Sequence, residues 1–183
     1  MIKGFRGLCP WIYRIRFYPP CIYYGENWLI GHFKVDMKIV RSSHVLLRDW
    51  PTVYVDGASR GNPGAAGIGY CLFSEGGHLI KRGGVFIGFA TSRVAEYYAL
   101  KEGVEQAIEN NMKRACFISD SLMVINQMKG VFKIHNKDIV AIRKDILKLL
   151  ENFDEVAFYH VKRSQNCVAD REANLAIDRG IKK

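Results

Sequence analysis

The sequence predicts an α/β fold: a five-stranded mixed sheet, its first three strands antiparallel, flanked by helices. Three observations carry this. Three short apolar runs between residues 52 and 87 are separated only by turn signals, which argues for an antiparallel meander. The apolar spacing then becomes helical from residue 92. After that, two further apolar runs alternate with amphipathic stretches, as in a sheet with helices packed on its faces.

Residues 52–56 read as a short buried strand, and 57–64 as a Gly/Asn/Pro loop. Residues 66–73 form a second strand, 75–77 a Glu-Gly-Gly turn, and 78–87 a third strand. Over 92–110, Val94, Tyr97, Tyr98, Leu100, Val104, Ala107 and Ile108 recur at spacings of three and four, giving a helix with one apolar face and Ser92 as its cap. Residues 115–119 are a fourth strand, followed at once by Asp120. Residues 121–128 read as a short helix closed by Gly130. Residues 137–150 are amphipathic through Ile139, Ile142, Ile146, Leu149 and Leu150. A fifth strand at 156–161 precedes a closing helix at 165–178, whose apolar side is Val168, Ala169, Ala173, Leu175, Ala176 and Ile177.

The 183 residues suggest one ordinary domain plus an extension of about 30 to 50 residues. Near Trp50-Pro51 the sequence changes from aromatic and basic, without a sustained period, to periodic. The chain therefore divides into an N-terminal extension, 1–50, and a domain, 51–183. The net charge is +9, with eight Lys/Arg against three Asp/Glu in residues 1–50 and nineteen against fifteen in 51–183. Such a surface attracts polyanions. Five widely spaced cysteines include no C-x-x-C pair, which argues against a zinc site or disulfide framework. Cys71 and Cys116 lie in apolar runs as core thiols, in keeping with a reducing cytoplasm. No apolar run reaches membrane-spanning length, so no membrane association is expected.

Four acids stand at or near element ends. Asp56 ends the first strand and Asp120 follows the fourth. Glu96 and Asp170 lie in the first turns of the first and last helices. Any one alone is an ordinary cap or surface residue. Gathered at one sheet edge, they would repel one another and require a cation among them, and Mg²⁺ is the usual partner of carboxylates and phosphates.

The flanking residues are specific. Tyr54-Val-Asp56-Gly-Ala-Ser-Arg-Gly-Asn62-Pro-Gly64 resembles the opening motif of the type 1 ribonuclease H family. Ala95-Glu96-Tyr-Tyr-Ala-Leu100 is similar to that family's Glu-bearing helix, Ser119-Asp120-Ser121 to its third acid, and Asn166-Cys-Val-Ala169-Asp170 to its fourth. All four occur in family order over residues 51–180. The resemblance implies the RNase H-like fold and hydrolysis of the RNA strand of RNA–DNA hybrids, leaving 5′-phosphate and 3′-hydroxyl ends. It implies two Mg²⁺ ions, with Mn²⁺ able to substitute. Asp56 would bridge them, Glu96 and Asp120 would hold the one near the leaving group, and Asp170 the one near the attacking water. It also places Gly57 and Asn62 against the RNA strand and Thr91 against a DNA phosphate, with Ser92 and Arg93 where amides are common in relatives. No histidine precedes the fourth acid in 162–165, so Arg163 is the candidate for that place. His160 reads as a strand histidine with a local partner. The spacing between the middle helices is too short for a long basic protrusion, as in archaeal-type and reverse-transcriptase-associated members. Lys129, Lys133 and Lys137 would supply part of its charge.

Two readings of residues 1–50 stay open. Trp11, Tyr13, Arg14, Arg16, Tyr18, Tyr23, Tyr24 and Trp28 could stack on bases and pair with phosphates; alternatively, translation starts at Met37. Two other functions stay open as well: an inactive nucleic-acid-binding module of the same fold, and a DNA-cutting relative. The chain is expected to act as a monomer.

Overall fold

The computed structural model describes residues 38–39 and 49–182. In chain order these form β1 (Lys38–Ile39), β2 (Thr52–Gly61), β3 (Gly64–Phe73), β4 (Leu79–Ala90), α1 (Ser92–Glu109), β5 (Arg114–Ser119), α2 (Leu122–Met128), α3 (Lys137–Leu150), β6 (Glu155–His160), a 3₁₀ turn (Arg163–Gln165) and α4 (Cys167–Ile181). Apart from Lys38, Ile39, Asp49 and Trp50, the aromatic and basic extension, including Met37, lies outside the described residues.

The sheet order is β1-β6-β5-β2-β3-β4. β2, β3 and β4 form the antiparallel meander, and β5 and β6 join in parallel on the other side of β2. The five expected strands are thus all present. Lys38 and Ile39 add a short sixth rung, parallel to β6.

Two local expectations are corrected. Residues 57–64 are not a loop: β2 pairs with β3 without interruption from Thr52↔Phe73 to Gly61↔Gly64. Only Asn62 and Pro63, joined by a cis peptide bond, make the turn, and Gly61 enters it at φ +113°. The glycines that read as loop signals mostly serve close packing. The cap of α1 is Thr91 rather than Ser92. Thr91 Oγ1 accepts from the Val94 N–H at 3.3 Å, a bond worth about 1 kcal/mol. Ser92 is instead the first helical residue, and its N–H donates to Asn62 Oδ1 at 3.2 Å.

One sheet face packs under α1 and α3 through Val53, Val55, Ile68, Leu72, Leu100, Val104, Ile146 and Leu150, with Phe117 stacked on Phe158. The buried stripe of α1 uses Ala95, Ala99 and Gly103 beside Tyr97 and Leu100, whereas Tyr98, expected inside, is 39% exposed. Tyr97 is buried, with its hydroxyl donating to Gln127 Oε1 at 2.9 Å. The opposite face carries α4, whose buried positions include Ala169, Ala173 and Ala176. Small side chains there bring helix and sheet close together. Beside it, Trp50, Cys116, Ile118, Ala157 and Val161 form a second cluster, with Arg114 over the Trp50 ring. Among the described residues, no helix is long and apolar enough to cross a membrane.

Candidate active site

The site forms where β5 stops and β2 continues. Their pairing ends at Tyr54↔Ile118, so beyond Tyr54 the strand keeps β3 as its partner but loses β5. Asp56 follows two residues later, inside β2 rather than at its end. Asp120 comes directly after β5. Both acids therefore face the crevice beyond the carboxyl ends of two parallel strands, the usual ligand position in open α/β sheets.

Two glycines bring the helices in. A Cβ on Gly57 would stand 2.2 Å from the Ala95 carbonyl carbon and 2.3 Å from the Glu96 nitrogen, so α1 reaches the strand only because Gly57 has none. Gly69 is the cross-strand partner of Asp56, and a Cβ there would lie 2.1 Å from the Ala169 oxygen. It admits α4, one residue before Asp170. The Asp56 rung is thus gripped by the helix carrying Glu96 and the helix carrying Asp170.

Asp56, Glu96 and Asp120 each place a carboxylate oxygen within 4.8 Å of the others. Asp56 is 5% exposed. Burial, then the Asp120 and Asp170 charges, push its carboxyl up to about 8. Burial, then Asp56 and Asp120, push Glu96 up to about 9, against a hydrogen bond from the Gly57 amide that pulls the other way. Glu96 Oε2 is buried without a hydrogen-bond partner. A converging set of hard oxygens, one of them unmatched and all short of positive charge, fits a divalent cation such as Mg²⁺.

Asp170 stands outside that 4.8 Å group, though close enough for its charge to act on Asp56. Its Oδ1 accepts from Arg163 NH2 at 2.7 Å, in an exposed pair made across the 3₁₀ turn. Arg163 therefore lies beside the fourth acid, where the sequence placed the substitute for a histidine. His160 Nε2 is 3.2 Å from the Asp120 carbonyl oxygen, a local strand contact.

The sequence reading missed Asn166. It is 1% exposed, and its Nδ2 donates to the Val55 carbonyl at 3.0 Å and to Asp120 Oδ1 at 2.9 Å. The sequence placed it inside a closing helix starting at 165, whereas α4 begins at Cys167 and leaves Asn166 at its N-terminal boundary.

The expected substrate residues gather at the β2–β3 turn and the start of α1. Asn62 meets Ser92, and Thr91 caps the helix that Arg93 continues. Ser59 Oγ ties the Gly61 and Ala90 carbonyls across the same corner. Gly57 is occupied by helix packing. A cleft of about 300 Å³ opens alongside, lined by Arg93, Met123, Phe132, Lys133 and His135 among others. None of the four acids lines it.

A model of the reverse transcriptase-like family matches residues 54–176. The crystal structure of RNase H1 from the halophilic archaeon Halobacterium salinarum is similar at a TM-score of 0.69 and 38% identity, over 70% of this chain and 98% of that one. The chain belongs to the type 1 ribonuclease H family. Among curated members, Ribonuclease HI of Halobacterium salinarum is 39% identical over 125 residues. A bifunctional protein of Mycobacterium tuberculosis is 34% identical over 127. The chain spans 63% of the haloarchaeal protein and 35% of the mycobacterial one, while the matches cover 68% and 69% of this chain. A further ribonuclease H structure, LC11-RNase H1 in complex with RNA/DNA hybrid, is 30% identical at a TM-score of 0.69, over 72% of this chain and 99% of that one.

Proposed function

We propose that this chain is a metal-dependent endoribonuclease that hydrolyses the RNA strand of RNA–DNA hybrids, leaving 5′-phosphate and 3′-hydroxyl ends. The observation that carries the reading is the convergence of Asp56, Glu96 and Asp120, with Glu96 Oε2 buried and unmatched. The hybrid as substrate is supported by the relative solved with one.

Two Mg²⁺ ions, or Mn²⁺ in their place, would activate the attacking water and stabilise the leaving oxygen of an in-line displacement. Asp56 would be shared between the two ions, Glu96 and Asp120 would hold the one on the leaving-group side, and Asp170 the one on the side of the water. Glu96 also meets the ribose 2′-hydroxyl, the group that distinguishes RNA from DNA. Asn62 and Gly57 face the RNA strand. Thr91, Ser92 and Arg93 hold a phosphate of the DNA strand at the start of α1, where helix amides already favour an anion. The cleft that Arg93 and Lys133 line extends that track. Arg163 pairs with Asp170 until the cation replaces it, then assists proton handling or product release. All four acids come from one chain, which supports a monomer. The buried free thiols of Cys71 and Cys116 support a reducing, cytoplasmic setting.

The test is incubation with labelled RNA–DNA hybrid, RNA duplex and DNA duplex in Mg²⁺, Mn²⁺ or EDTA. Cleavage of the hybrid alone, and only with metal, is expected. Cleavage surviving EDTA overturns the metal mechanism. Binding without cleavage in either metal makes the chain a binding module instead.

A further inference from the structure

Asn166 spends its side chain away from its own helix. It is the N-cap of α4, where asparagine ordinarily accepts from a first-turn amide, yet its side chain makes no capping bond. One amide group instead joins two strands: Nδ2 donates both to the carbonyl of Val55, which precedes Asp56, and to the carboxylate of Asp120. Its main-chain carbonyl accepts from the Asp170 N–H at 3.1 Å. Asp120, Asp170 and the residue before Asp56 thus meet at Asn166. Its Oδ1, meanwhile, is buried without a partner. A side chain kept for stability alone gains little from an unmatched buried acceptor, because that acceptor forfeits its hydration.

We propose that Asn166 is a positioning residue of the metal site, fixing Asp120 relative to Asp56 before a cation arrives. This deepens the proposed nuclease reading and rests on it. Asp120 gives Oδ1 to the amide and keeps its other oxygen for the cation. Without that donor, Asp120 loses the hydrogen bond that ties its carboxylate to the strand of Asp56. The carboxylate then turns out toward solvent, and a cation has to reassemble the cluster. Losing such an outer partner of a ligand weakens metal binding about 10- to 100-fold.

Two variants of the full chain test this. Asn166→Ser keeps a good helix cap but is too short to span Val55 and Asp120; Asn166→Ala removes the side chain. Mn²⁺ binding is followed by electron paramagnetic resonance without substrate, alongside thermal melting of the metal-free proteins and kcat and KM on a hybrid. The expected result is Mn²⁺ affinity about 10- to 100-fold weaker in both, kcat reduced at fixed Mn²⁺ with KM for hybrid unchanged, and partial recovery of kcat in excess Mn²⁺. A lowered melting temperature with wild-type Mn²⁺ affinity in the folded variant makes Asn166 a structural tether and overturns the proposal. Asp56→Asn separates the two levels. If it binds Mn²⁺ as the unaltered protein does, or if the unaltered protein binds none, the metal-site reading itself fails.

Discussion

Asp56, Glu96 and Asp120 on one side, and Asp170 on the other, are built on different physics. The first three come from a strand, a helix and the residue after a strand, are partly or fully buried, and take part in none of the ion pairs seen among the described residues. Asp170 is reached by Arg163 across a local turn, near solvent. The trio is therefore assembled by the fold and left short of positive charge, whereas the fourth acid comes with a counter-ion. A cation entering the trio displaces protons; one recruiting Asp170 displaces a guanidinium.

The sharpest way to break this contrast is Asp56→Asn. Removing the most deeply buried carboxylate of the trio is expected to lower kcat on the order of 10³-fold or more, with hybrid affinity retained in a binding assay. Near-normal turnover would place the chemistry elsewhere.

Proton competition is next in size. Asp56 and Glu96 hold protons up to about pH 8 and 9 in the metal-free protein, against an ordinary carboxylate value near 4. A raised carboxyl pKa means the folded state binds more protons than the unfolded chain between those limits. Stability of the metal-free protein therefore declines as pH rises through that window. Metal binding releases the same protons, so apparent Mg²⁺ affinity rises with pH, roughly tenfold per unit for each proton released. Calorimetric titration between pH 6 and 8 checks this, and a flat profile would mean Asp56 and Glu96 are already ionised.

Gly57→Ala follows. The new methyl would press on the α1 backbone, and overpacking of this kind is expected to remove about 2 to 3 kcal/mol, read by urea unfolding. Activity should fall with it, because Glu96 moves with the helix. Smallest is Arg163→Ala. The pair it breaks is exposed, so stability should change by no more than about 0.5 kcal/mol, while the metal dependence of cleavage shifts because Asp170 loses its competitor. A stability loss of several kcal/mol would show that the two halves are not built as differently as their burial implies.

Much of this was legible in the sequence. Helix α3 has the expected limits, because its apolar period and flanking signals agree. The meander was legible from turn spacing. The convergence of Asp56, Glu96 and Asp120 was legible because the residues flanking each resemble one family's motifs. What the sequence concealed depends on neighbours distant along the chain. Gly57 reads as loop until α1 is laid against it. Tyr98 counts as apolar until Tyr97 takes the inward position. Asn166 reads as an ordinary residue of the closing helix until Val55 and Asp120, 111 and 46 residues away, claim its amide.

The grip on the Asp56 rung has a consequence for how the protein tolerates change. At Gly57 and Gly69 the helices and strands meet main chain to main chain, with no side-chain layer between them to absorb a misfit. In a saturation mutagenesis screen, these two glycines should be as intolerant as the acids, although neither carries a functional group. The molecule is thinnest where its reactive groups are held, and that thinness is itself a heritable constraint.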